Sequence, residues 1–265
     1  MNRTVWSVLV ILLGGIGAAY YYVWQQGREA PAPTPAPPTQ LRAPISPPAL
    51  TAPTRYPIEA AAPADKGLPP LDQSDAALLE ALASALPRSR WLAILAGDGL
   101  IRRIVATVDS LPRERVAVKL MPVKSVPGIF IVAGKGPDLA IGSANAARYA
   151  PYVNVAQAVD AHKLVAVYRL FYPLFQQAYR ELGYPDAYFN DRLVVAIDDL
   201  LAAPADPEPL ALVQPKVLYE FADRDLDARS AGQKIMMRMG SENAARAKEA
   251  LRAIRSELMR RASGQ

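Results

Sequence analysis

Between Thr4 and Trp24 the chain runs 21 residues without a charge (TVWSVLVILLGGIGAAYYYVW), and what the rest can fold into depends on where that segment sits. At about 1.5 Å of rise per residue a helix of this length spans the roughly 30 Å hydrocarbon layer of a bilayer. It reads as a single transmembrane helix. Arg3 and the terminal amine precede it, and Tyr20, Tyr21, Tyr22 and Trp24 close it with the ring chemistry of a headgroup interface. Arg3 with the amine competes with Arg28 for the inner side, and the reading taken puts residues 1–3 in the cytoplasm and the bulk of the chain outside. A cleaved secretory signal is the alternative. Gly17-Ala18-Ala19 offers a small-residue site, but the apolar run continues to Trp24, past the about 7–15 residues of a signal core.

Thirteen of the 25 prolines lie between Gln25 and Pro70. Residues 25–70 are otherwise Ala and Thr with few charges, so they cannot bury enough surface to offset the entropy of ordering, and they read as a disordered, proline-rich linker. Extended as polyproline II the linker would reach about 140 Å, and as a flexible coil about 40 Å. A PxxP ligand reading is weaker, since no basic residue flanks the Pro-Ala run at 31–38.

Residues 71–262 have the composition of one globular domain with a sizeable core. Helical spacing dominates: Leu78, Leu79 and Leu82 after Asp72 or Ser74 as cap; Leu100, Ile101, Ile104, Val105 and Val108 before Pro112; Val153 to Val159; and a long, mostly apolar helix over 161–182 ended by Gly183. Pro173 inside that helix predicts a kink or a break. Asp186 is expected to start the next helix, and two last helices cover 225–239 and 241–261, with Ser241 capping the second. Short β-branched runs at 116–118, 128–132 and 138–141 predict a small antiparallel sheet or hairpin about Gly134-Lys-Gly136, and 210–213 with 216–221 predict a second strand pair. The fold class is α+β with a predominantly helical head.

The strings LPPLDQSDAALLEAL, DGLIRRIVATVDSLPR, YPLFQQAYRELGYPDAYFNDRL, PKVLYEFAD and SAGQKIMMRMGSENAARAK, over residues 71 to about 261, resemble those of a Gram-negative bacterial family of unknown function, the three-thousand-and-fourteenth in the series of such domains. The resemblance implies an inner-membrane-anchored envelope protein. It brings no activity, substrate or catalytic residue.

The chain has no cysteine and one histidine, which removes disulfides, thiolate nucleophiles, cysteine-ligated metals and multi-histidine relays. Seven of its twelve tyrosines lie between 149 and 188: Tyr149, Tyr152, Tyr168, Tyr172, Tyr179, Tyr184 and Tyr188. Tyr168, Tyr172, Phe175 and Tyr179 form one helical stripe beside Arg169, and Tyr and Arg are the residue types enriched at binding hot spots. A packed core stripe is the plainer reading. The segment Tyr184-Pro-Asp-Ala-Tyr-Phe-Asn-Asp-Arg192 adds Asn190 and Arg192 as ligand-positioning candidates, or else an N-cap and an internal ion pair.

Asp191 and Asp198, seven apart on one helical face, are the candidate carboxylate pair for glycoside hydrolysis, and His162 beside Asp160 is the single acid–base candidate; capping and ordinary ion pairing explain these residues as well. Asp223-Arg-Asp225-Leu-Asp227 imitates a calcium loop but carries Ala228 and Lys234 where glycine and glutamate belong, so no metal site and no cofactor is expected. Gly134-Lys-Gly136 lacks phosphate-loop spacing. Residues 229–265 hold nine basic and three acidic residues, against 16 and 19 for 71–228. Arg252 and Arg255 lie on the cationic face of the last helix. For a domain outside the cytoplasm this basicity points to anionic lipid, acidic glycan or an acidic protein rather than nucleic acid.

The functional expectation is therefore a single-pass inner-membrane protein with a periplasmic C-terminal domain, a binding or scaffold module rather than an enzyme, meeting an envelope protein or peptidoglycan. The alternative is a cell-wall polymer hydrolase using paired carboxylates.

Overall fold

The computed structural model describes residues 53–58, 67–85, 94–205 and 209–260. Residues 4–24, read as a transmembrane helix, and most of the span read as linker lie outside the described residues, and among those described no helix is long and apolar enough to cross a membrane. Helices α1 (Asp75–Leu82), α2 (Leu100–Ser110), α3 (Asn145–Gln157), α4 (Ala161–Glu181), α5 (Phe189–Leu201), α6 (Arg224–Asp227), α7 (Ala231–Arg238) and α8 (Ser241–Met259) carry the architecture. The helical α+β reading holds.

Helix α4 is the pillar. Its apolar residues Val165, Val167, Phe171, Leu174, Phe175 and Ala178 are buried, because α1, α2, α5 and α8 all pack on it. Leu78 of α1, Ile101 and Val105 of α2, Phe189 and Ile197 of α5, and Leu258 of α8 complete this main core. Pro173 does not break α4. It removes a single backbone bond from a helix held by packing on several sides, so the missing donor is tolerated. Pro151 sits inside α3 in the same way.

The strands are two-residue hairpin arms: β1 (Val132–Ala133) pairs antiparallel with β2 (Ala140–Ile141), and β3 (Leu212–Val213) with β4 (Glu220–Phe221). Ile141 N donates to Leu210 O (2.9 Å) and Leu212 N to Leu139 O (2.8 Å), joining the hairpins across an Ala140–Ala211 bridge. Leu210, Leu212, Phe221 and Met237 form a separate small core beneath them. The run 116–118 makes no strand; residues Val118–Leu120 form a 3-10 turn instead. The next residues pair elsewhere, with Ala96 N donating to Pro122 O and Lys124 N to Ile94 O.

Several helix ends depart from the sequence expectation, and at the start of α2 a side chain from another helix satisfies the backbone donors. Ser74 occupies the N-cap position of α1, but its hydroxyl donates back to Leu71 O, while Asp75 crosses to the start of α2 and accepts from Gly99 N (2.6 Å) and Leu100 N (2.8 Å). The expected helix over 225–239 is two helices, because Asp223 caps α6 and the Ser230 hydroxyl caps α7, accepting from Gln233 N at 3.1 Å. Asp186 does not open α5, whose N-cap position is Tyr188. Gly240, at φ 88°, holds the N-cap position of α8 in place of Ser241.

The folded part also begins earlier than residue 71. Pro53–Ile58, inside the span read as linker, lies along α5: Thr54 Oγ1, Arg55 N and Tyr56 N donate to the Asp191 carboxylate at 3.0, 2.9 and 2.7 Å, and Ile58 packs on the main core. Composition hides this strap because four hydrogen bonds, the fourth from Asn190 Nδ2 to Tyr56 O, and one apolar contact are enough to hold six residues.

Two substitutions test these local arguments by thermal or urea unfolding. Asp75→Ala should cost about 1 kcal/mol, the worth of an N-terminal helix cap. Gly134 has φ +73° and an added Cβ would lie 2.1 Å from Asp138 O, so Gly134→Ala should destabilise while Gly99→Ala, with open space around it, should cost less.

Candidate functional site

The tyrosine stripe of α4 is structural for most of its length. Tyr168 is buried against Tyr172, Phe175 and Phe189, and its hydroxyl donates to Asn190 Oδ1 (3.1 Å). Burial pushes the Tyr168 phenol well above its ordinary pKa and the Tyr172 phenol up to about 12. Tyr172 donates to Gln176 Oε1 at 3.1 Å, and Asn190 Nδ2 reaches Tyr56 O at 2.8 Å. These side chains meet, but they meet each other.

A second group gathers at the far end of α4. Tyr179 stacks on Tyr184 with ring centres 4.6 Å apart, and its phenol is raised to about 12, mostly by burial and then by the Asp109 charge. Asp109, with only 11% of its side chain exposed, is the hub: Arg113 Nη2 donates to its Oδ2 at 2.8 Å, Arg192 Nε to its Oδ1 at 3.1 Å, and the Tyr184 hydroxyl to its Oδ2 at 3.3 Å. Arg192 also donates to the Asp109 carbonyl. Sequence reading found Tyr179, Tyr184 and Arg192 but not Asp109 or Arg113, since an acid on an amphipathic helix gives no sign of pointing inward. Tyr188 is half-buried at the start of α5.

The acid–base candidates are not assembled. Asp191 accepts from three groups of the strap, and Asp198 pairs with Arg255, whose Nη2 lies 3.2 Å from Oδ2. His162 Nδ1 bonds Glu257 Oε1 at 2.9 Å, and Arg260 Nη1 bonds Glu257 Oε2 at the same distance. The bond with His162 is the main cause holding the Glu257 carboxyl below the ordinary carboxylate range, with burial opposing and Arg260 adding. Arg169 donates to the carbonyls of Glu257 (3.4 Å) and Arg260 (2.6 Å), closing the end of α8. Arg252 is exposed beside a smaller cavity of about 260 Å³ that it lines with Lys248 and Glu249. The calcium-like acids are caps and ties: Asp223 opens α6, and Asp227 Oδ1 accepts from Phe221 N at 3.2 Å.

A large aromatic opening lies elsewhere among the described residues. A cavity of about 580 Å³ is walled by Tyr149 and Tyr152 of α3, Ile235 and Met239 at α7, and Phe130 and Tyr219 from the two hairpins. Phe130 and Tyr219 touch with ring centres 6.0 Å apart. Lys124, Arg148 and Arg238 line the cavity, and no carboxylate does. Arg148 uses one donor of each guanidinium nitrogen on the oxygens of Pro127 (2.9 Å), Gly128 (2.8 Å) and Asn145 (2.8 Å), which leaves an N–H on each Nη, while the Arg238 guanidinium sits 5.7 Å from the Phe221 ring centre. Neither charge is matched by an acid among the described residues. Burial raises the Tyr149 phenol, and the Arg238 and Arg148 charges oppose that rise. Tyr152 donates to the carbonyls of Lys124 (3.1 Å) and Ser125 (3.2 Å), fixing the 121–126 loop as one wall. Tyr149 and Tyr152 were visible in the tyrosine cluster. Arg238 was not, because 89 residues separate it from Tyr149 and only the packing of α7 beside α3 brings them together.

A family model described as "Protein of unknown function (DUF3014)" matches residues 100–255. No curated protein and no solved structure matches the chain.

Asp109→Ala should cost about 3 kcal/mol, because it leaves two guanidinium groups without their shared anion, whereas Asp198→Ala, at a half-exposed pair, should cost under about 1 kcal/mol; denaturant unfolding of both variants separates them. A carboxyl with a depressed folded-state pKa stabilises above its unfolded pKa and loses that contribution as pH falls through the folded value. Glu257→Gln should therefore lower the thermal midpoint at neutral pH, and its difference from the parent should shrink below about pH 4.

Proposed function

The chain belongs to the DUF3014 family, whose description carries no activity, and on that premise we propose that it is a non-catalytic binding module held at the bacterial inner membrane by residues 4–24. The proline-rich linker lets the folded domain work in the periplasm at a distance from its anchor. Its recognition site is the aromatic cavity between α3, α7 and the hairpins, and its ligand is an anionic envelope component.

The observation that carries this reading is the contrast between the cavity and the carboxylate sites. At Asp109, Asp191, Asp198 and Glu257 each carboxylate is bonded to a cation or to backbone, so those groups hold the fold. In the cavity, two arginines without an acidic partner face four aromatic rings and a largely apolar lining. Such sites recognise through a few placed charges on an apolar wall. The hydrolase reading has no observation in its favour, since Asp191 is occupied by the strap and Asp198 by Arg255.

Full-length protein in mild detergent, immobilised and exposed to envelope extract and to purified peptidoglycan, tests the proposal. The expected outcome is capture that falls at least fivefold in Arg238→Gln, about the loss for one charge-assisted contact. Equal capture by Arg238→Gln and the parent would place recognition elsewhere.

A further inference from the structure

The cavity's surroundings narrow the ligand class. Ile129, Val217 and Leu218 are among the most exposed large apolar residues described, at 85, 85 and 75%. Ile129 directly precedes Phe130 and Leu218 directly precedes Tyr219, and those two rings touch, so the exposed side chains belong to adjacent loop tips at the cavity's edge. Exposed apolar side chains grouped beside a cavity mark a surface that is covered in use. Lys124 and Lys216 are exposed in the same two loops, and Arg148 and Arg238 stand further in.

We propose that this cavity and its rim form a site for anionic phospholipid, with the headgroup phosphate held by Arg148 and Arg238, the upper acyl segment lying on Tyr149, Tyr152 and Met239, and Ile129, Val217 and Leu218 entering the bilayer interface. The inference deepens the binding-module reading and rests on it. Three features select a lipid over an acidic peptide. The lining combines Lys124, Arg148 and Arg238 with apolar and aromatic side chains and no carboxylate, the chemistry an anionic amphiphile requires. Apolar residues project beyond the cavity, where a bilayer would receive them and a small ligand would not. Tyr149, Tyr152 and Tyr219 line the same cavity, and tyrosine is a ring type enriched at membrane interfaces.

The absence of cysteine supplies the test, because one introduced thiol can carry an environment-sensitive dye at a known place. Full-length Leu218→Cys, labelled and reconstituted in vesicles of phosphatidylcholine alone or mixed with phosphatidylglycerol, should show a blue-shifted and stronger emission only in the anionic vesicles. Raising the salt should weaken the response, and adding Arg238→Gln should weaken lipid engagement about fivefold, the effect of one basic residue at an anionic surface. Gln177→Cys, exposed on α4 and outside the cavity, should not respond. An equal response in both lipids, or none in either, overturns the assignment. If Leu218→Cys is silent to lipid while capture from extract or peptidoglycan still depends on Arg238, the lipid assignment fails and the binding module stands. Silence in both experiments removes both.

Discussion

The Asp109 carboxylate cannot stand uncompensated in the place α2 gives it, and the arrangement of the domain around α4 follows from neutralising it. Arg113 comes from its own chain neighbourhood, one turn on. Arg192 comes from α5 and Tyr184 from the turn before α5, so the charge requirement fixes the α5 entry against α2. Tyr184 then stacks on Tyr179, which ties the same turn to α4. A buried anion of this kind contributes little through its own ion pairs, but removing it strands its partners, so it acts as a constraint on geometry more than as a source of stability.

The same logic governs the helix ends. Each helix leaves backbone donors at its start and acceptors at its end, and here these are often satisfied across the fold. Asp75 of α1 serves the start of α2. The first N–H groups of α7, at Ala231 and Gly232, donate to the carbonyls of Arg113 (2.7 Å) and Leu111 (2.9 Å) just past the end of α2. A Cβ at Gly232 would meet Leu111 O at 3.1 Å and Leu200 Cδ2 at 2.8 Å, so glycine permits the close approach. Asp191 holds the strap, and Arg169 closes α8. With these polar groups used in construction, Arg148 and Arg238 line the Tyr149 cavity with no acid paired to either among the described residues.

Local pattern therefore made the helices legible and left the polar contacts obscure. Leu100 to Val108 recur at helical spacing and α2 spans 100–110; the hairpins appear where β-branched runs flank glycine and proline. The errors share one cause. A residue of capping type does not fix where or how a helix begins: Ser74 holds the N-cap position of α1 without a side-chain cap bond, Tyr188 and Gly240 hold the positions expected of Asp186 and Ser241, and Ser230 split a helix that the apolar spacing had continued. The candidate residues Tyr168, Tyr172 and Tyr179 were visible as a stripe, but a stripe does not say whether it faces a ligand or a core.

By itself the sequence determined that the chain carries an uncharged segment of membrane-spanning length, a proline-rich stretch and one mainly helical α+β domain of this family, because hydrophobic period and composition are properties of neighbouring residues. It also excluded thiol and multi-histidine chemistry by what it lacks. Only the tertiary structure decided which charges are spent and which remain. Asp191 and Asp198 became fastenings, Asp109 became the hub, and Arg148 and Arg238 came to line one cavity with Tyr149. Burial and pairing of a polar group depend on partners tens of residues away, and no local pattern encodes that distance.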